Sequence, residues 1–224
     1  MTEGAPVLSV RDLHFPALPP MTFDIRRGEI AFLRDENYNT GRRLHECFLG
    51  DRGWTSGFFR LNGRLYQPGD LGRVIGSEIG IQIERPDRPG GVLFDNMTAL
   101  DNLCTSLIPK AGQHIIRKKI VSSILSEALR WFPKEMLLQP LSSWSYPERL
   151  RFSYYRWYLL NPKLLICFFP FAGQESTHHK MIIDLLVLCA QRGMAVWIIS
   201  SGIDAICEKT DNEEFLRRLH YLNK

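Results

Sequence analysis

A pair of carboxylates at the end of a buried strand can hold a divalent cation and aim a water molecule, and one stretch of this chain has the frame for that work. Leu164 to Phe169 form an apolar run bounded by Pro162 and Pro170. The run is too short for a membrane span or a free-standing helix, so it reads as a central strand. The two positions at its end hold Phe168 and Phe169, rings that can neither ligate a metal nor accept a proton. A second candidate is Gly41-Arg42-Arg43, which could draw an anion to a helix start. The alternative is that the two arginines neutralise Asp35 and Glu36.

The elements that must position these residues are legible in the patterning. Val7 to Phe15 alternates as a strand, a Pro-rich turn follows, and Met21–Ile25 and Glu29–Leu33 read as two more strands joined by Arg26-Arg27-Gly28. Ile79 to Arg85 reads as a core strand running into a Pro- and Gly-rich loop, Pro86 to Gly91. Gln113 to Trp131 spaces Ile116, Ile120, Ile124, Leu125 and Leu129 as an amphipathic helix with its lysines and arginine turned outward. Pro147 suits the first turn of a helix to about Leu159. Lys180–Cys189 reads as an apolar helix, Ala195–Ser200 as another buried strand, and the polar tail from Asn212 to Lys224 as helical.

Composition bounds the class. The 224 residues, 45% hydrophobic, suffice for one domain or a domain with a small subdomain. A net charge of +4 without a basic stripe gives no reason to expect nucleic acid. Five cysteines, an odd number never in C-x-x-C spacing, fit a reduced core better than a disulfide frame or a zinc site. The adjacent His178 and His179 show no metal-ligand spacing with the other four histidines. No apolar leader opens the chain and no run reaches 18 apolar residues, so the expectation is a cytoplasmic protein without direct membrane insertion.

Asn161-Pro162-Lys163, the apolar run, Pro170 and Glu175 together resemble the Walker B strand and D-loop of ATP-binding cassette (ABC) transporter ATPases. In that family Asp-Glu-Pro follows the run, so Phe168 falls on the magnesium Asp, Phe169 on the catalytic Glu and Glu175 on the D-loop Asp. The family's phosphate loop falls on Arg34 to Leu44. Counted without a gap, Asp35, Tyr38 and Thr40 replace its three glycines and Gly41 its lysine; slid by one residue, Gly41-Arg42-Arg43 lies on Gly-Lys-Ser. In both registers an arginine takes the place of the magnesium hydroxyl, and Tyr38 and Thr40 resist the close backbone approach that phosphate needs. Ser56–Gly63 is similar to the family's Ser-Gly-x-Ile-x-Leu-Asn-Gly hairpin, and Leu93–Leu103 to the segment leading into its helical subdomain. Glu84 takes the Q-loop position, as in the sugar-importer branch, and Ser201 the switch-histidine position. The signature motif falls on Trp144 to Glu148, where Ser145 survives, Tyr146 is bulky and Pro147 has no N–H to give.

The resemblance implies an α/β P-loop NTPase-like fold with a mixed central sheet, an N-terminal antiparallel β-subdomain and a small helical subdomain. The single domain would place residues 1–85 and 160–211 in the core with its β-subdomain, about 86–159 in the Q-loop and helical subdomain, and 212–224 in the tail. No catalytic residue is expected, since the family positions hold Phe168, Phe169, Glu84 and Ser201. Any nucleotide contact would come from Phe15, Asn39, Thr40, Gly41, Arg42, Arg43, Ser145 and Glu175, with Phe15 alternatively a core residue. ATP is expected to bind weakly if at all, and magnesium not. The implied partners are a membrane permease subunit, a second ABC ATPase subunit, or both, at the cytoplasmic face of the membrane. A divergent working ATPase and a soluble regulator detached from any transporter are the competing readings.

Overall fold

The structure, a computed structural model, describes residues 4–16, 18–49, 53–84, 93–111 and 118–222. In chain order the elements are β1 (Leu8–His14), β2 (Met21–Ile25), β3 (Ile30–Arg34), α1 (Asn39–Leu49), β4 (Ser56–Leu61), β5 (Arg64–Tyr66), α2 (Pro68–Leu71) and β6 (Ile79–Ile83). They continue with α3 (Ala99–Ala111), α4 (Lys118–Ala128), α5 (Lys134–Leu137), a 3-10 turn at Leu141–Ser143, α6 (Tyr146–Leu160), β7 (Leu164–Phe168), α7 (Ser176–Gln191), β8 (Ala195–Ser200), α8 (Ile203–Cys207), α9 (Glu213–Arg218) and β9 (Leu219–Leu222). The expected loop Pro86–Gly91, the helix start Gln113–Arg117 and the final Asn223 and Lys224 lie outside the described residues.

Two sheets organise the fold. β2-β1-β4-β5 is antiparallel throughout, and β6-β7-β8-β3-β9 is parallel throughout. The antiparallel sheet is the expected N-terminal β-subdomain, and the five-stranded sheet is the expected central one, parallel in every pairing among the described strands. The division has a topological cause: parallel neighbours need long crossovers, which the helices supply, whereas β4 and β5 are joined by a tight turn. β7 and β8 are buried along their whole length, as strands covered on both faces must be.

Strand parity sorts the core. Leu164, Ile166 and Phe168 face a first cluster shared with α1 and the antiparallel sheet, while Leu165 and Cys167 face a second built on α6, α7 and α9. A third cluster, from Ala99 and Leu103 through Phe132 to Trp144, Phe152 and Tyr155, forms a helical subdomain that shares α6 with the second. α6 ends where Asn161 adopts φ 47°, a left-handed cap that asparagine tolerates, followed by Pro162.

The tail differs from its expected helix. Among its described residues only Glu213–Arg218 is helical; Leu219–Leu222 is a strand that pairs parallel with β3, Ile30 opposite Leu219. Its polar composition hides two anchors, Phe215, fully buried, and Leu222, 5% exposed.

Candidate functional site

The C-terminal ends of β3, β6, β7 and β8 lie side by side, the edge where open parallel sheets place their ligand chemistry. Backbone hydrogen bonds fix the register there: Phe169 N donates to Ile199 O (2.8 Å), Asp35 N to Ser200 O (3.0 Å) and Glu84 N to Phe168 O (3.2 Å). Phe168, 1% exposed, points into the first core cluster with its ring edge-on to His45 at 5.6 Å. It packs as an interior residue.

Phe169 does something different. Its φ of 55° is unusual for a residue with a Cβ, and it swings the ring across to the start of α1. The ring packs edge-on to Tyr38 at 4.7 Å. A Cβ added at Gly41 would lie 3.1 Å from Phe169 Cε1 and closer still to its Cζ, so the ring rests on bare backbone. Asp35 holds the same stretch of backbone through its amides. Its Oδ2 accepts from Gly41 N at 2.7 Å and its Oδ1 from Thr40 N at 3.3 Å. The residue is 5% exposed.

Arg43 takes another partner than the two acids. Arg43 pairs with Glu46 at 3.5 Å, and Glu36 with Arg34 at 3.6 Å; Arg34 also binds Asp204. The alternative that the arginines neutralise the two acids is corrected for Arg43: Asp35 accepts from amides and Glu36 pairs with Arg34. Arg42 and Asn39 are exposed at the first turn of α1.

Glu84 is 3% exposed and faces α6. Its Oε1 accepts from Gln82 Nε2 (2.7 Å), which also donates to Ser153 Oγ (3.0 Å), while Gln82 Oε1 accepts from Trp157 Nε1 (2.8 Å). This network welds the sheet to α6. Nothing in the sequence reading found it, although a lone Gln between Ile81 and Ile83 was a signal, since a buried amide needs partners.

No model of a known protein family matches the chain. The ribose/galactose/methyl galactoside import ATP-binding protein of Pseudomonas syringae pv. tomato is 25% identical over 212 residues, 93% of this chain and 40% of that protein. The chain thus spans about two fifths of the length of that relative. Among solved structures, cbiO1 from Clostridium perfringens, part of the ABC transporter complex cbiONQ, superposes with a TM-score of 0.73 at 21% identity, over 97% of this chain and 85% of that one. The chain has the ATP-binding cassette fold. The cassette MJ0796, solved as a dimer in a post-hydrolysis state bound to ADP and Pi, gives a TM-score of 0.67 at 16% identity over 96% of this chain and 94% of that one. The resemblance read from the motifs is borne out, sugar-import proteins among the relatives included.

Within this cassette the family positions can be located one by one. Asp35, Tyr38, Gly41 and Phe169 converge at the loop after β3, which resembles the family's phosphate loop. Phe15, the adenine-stacking candidate, is 2% exposed inside the first core cluster. Ser145 caps α6, but both its N–H (2.8 Å) and its Oγ (2.6 Å) donate to Glu148 Oε2, so the hydroxyl is committed within its own helix turn. Glu175 is exposed at the start of α7. Ser201 lines a cavity of about 220 Å³ with Phe171, Ser176 and His179, apart from Asp35, Gly41 and Phe169. His178 and His179 pack against Tyr146 and Phe171. Among the described residues no three His, Cys, Asp or Glu side chains are grouped to hold a metal. The residues at the loop do not fit a nucleotide as they stand. A phosphate would have to displace the Asp35 carboxylate from the amides, bear its negative charge close by, and push Phe169 off Gly41.

Proposed function

We propose that this chain is the cassette subunit of an ABC transport system that does not hydrolyse ATP, and that it acts as a structural or regulatory partner of a membrane permease or of a second, active cassette. The observation that carries the reading is the seating of Phe169 on Gly41. Hydrolysis needs a group to orient and deprotonate water, and losing a general base alone typically costs about 10²–10⁴ in rate. Here the ring in that place also covers the helix start, and Phe168 supplies no ligand to magnesium. The fold's architectural parts persist: both sheets, the helical subdomain and the capped start of α6.

The partners follow from what the relatives are named for, import in one case and membership of the complex cbiONQ in another. Among the described residues no helix is long and apolar enough to cross a membrane, so we place the subunit against the cytoplasmic face through its partners. A second reading, a divergent ATPase that works, is favoured by the relatives' common description as ATP-binding proteins and by the exposed Arg42 and Glu175. Equilibrium binding of labelled ATP with and without magnesium, beside an ATPase assay of the purified chain, separates the two. Micromolar, magnesium-dependent binding or unaided turnover would overturn our reading. A chain that co-purifies with no permease would instead indicate a regulator free of any transporter.

A further inference from the structure

The loop's own acid does the work that the fold otherwise leaves to a ligand. Thr40 and Gly41 are the second and third residues of α1, and amides at those positions have no acceptor within the helix. A short polar side chain just before the helix ordinarily satisfies them. Tyr38 stands there instead, at φ 57°, and its ring lies against Phe169. Asp35, four residues before Asn39, reaches back to both amides at 2.7 and 3.3 Å. Its own N–H is fastened to β8 through Ser200 O, so its backbone is fixed with respect to the sheet.

A carboxylate at this place presents what a phosphate oxygen presents: negative charge and lone pairs at the positive end of a helix. It is held at 5% exposure, where hydrogen bonds are strengthened by the low local dielectric. Being part of the chain, it meets the amides as an intramolecular partner, with an advantage in effective concentration over any free anion. We propose that Asp35 is a resident anion of the phosphate loop, keeping the loop and the first turn of α1 ordered without nucleotide and closing them to free phosphate. This deepens the non-hydrolysing reading and rests on it. It adds a cause for indifference to ligand: the amides are already occupied, apart from any loss of catalytic groups.

The test uses the full chain, with inorganic phosphate as the probe and sodium chloride at matched ionic strength as the control. The wild type should show no phosphate-specific rise in melting temperature, and its Gly41 amide should exchange slowly with solvent. In Asp35→Ala that amide should exchange roughly 2- to 30-fold faster, the span of a lost helix cap, and phosphate but not chloride should restore part of the protection. If Asp35→Ala does not fold, Asp35→Asn serves, because a neutral amide oxygen is a weaker acceptor than a carboxylate and its Gly41 amide should exchange several-fold faster. Wild-type exchange in the variant that folds, or a phosphate response in the wild type equal to that of Asp35→Ala, would overturn the inference. ATP turnover by the wild type would sink the function proposed above, whereas a phosphate-indifferent Asp35→Ala in a chain that hydrolyses nothing would sink this inference alone.

Discussion

The contact between Phe169 and Gly41 can be weighed by a double-mutant cycle. Gly41→Ala places a methyl group 3.1 Å from Phe169 Cε1 and nearer to Cζ, inside the roughly 3.5–4.0 Å at which carbon atoms settle. The ring has little room to retreat. Phe169 N is bonded to Ile199 O and its carbonyl accepts from Ala172 N at 3.0 Å, while Tyr38 blocks one side. Overpacking of this kind costs about 1–3 kcal/mol. Against it, replacing a helical glycine by alanine gains up to about 1 kcal/mol, so Gly41→Ala alone should destabilise by roughly 0–3 kcal/mol. In a Phe169→Ala background the ring is gone and the nearest neighbour left to the methyl is Asp35 Oδ2 at 3.3 Å, so the same methyl should cost far less there and at best stabilise by up to about 1 kcal/mol. The expected coupling is therefore the overpacking term itself, about 1–3 kcal/mol. Urea unfolding of the four proteins at constant salt measures it. If the two substitutions add to within about 0.5 kcal/mol, the ring does not rest on the helix start and the reasoning fails.

Two further outcomes are expected. Glu148→Ala should cost about 0.5–2 kcal/mol by uncapping α6 and should speed amide exchange in its first turn; an unchanged first turn would mean the carboxylate seen on Ser145 does not hold that helix end. The hydrogen bond from Arg11 holds the Asp24 carboxyl below the usual carboxylate range, with burial opposing it. A depressed carboxyl stabilises the fold above its unfolded value and loses that contribution as pH falls through the folded one, so stability should drop below about pH 4. Both side chains are about one-third exposed, which limits the effect to under about 1 kcal/mol and makes it salt-sensitive. Urea titrations between pH 6 and pH 3 should therefore show a slightly shallower decline for Asp24→Asn, and identical slopes would remove the pair from the account.

What the sequence revealed and what it hid divide along a physical line. Leu164–Phe168 and Ala195–Ser200 were legible because strands buried on both faces must be continuously apolar, and Pro147 marked the start of α6 because only a first turn tolerates it. The frame of the site came with them, since the strand ends carry Phe168, Phe169 and Glu84. The partnerships made there were not legible. Asp35 read as a replacement for a loop glycine, when its acceptors serve two amides that only the folded loop brings within reach. Arg43 read as its counterion, yet the helix spacing of Arg43 and Glu46 offered a nearer one. β9 was missed because a four-residue strand leaves almost no periodicity, and its stability comes from β3, remote in the chain.

That remoteness has a bearing on how the molecule is made. β3 runs into the loop that resembles the family's phosphate loop, and among the described residues one of its two flanks is closed by residues 219–222. On a ribosome that flank stays open until residue 222 has been threaded out, and pairings so distant in sequence form slowly. During that interval the nascent strand offers a bare edge to any passing chain, so the growing polypeptide should be most prone to mispairing just before residues 213–222 emerge.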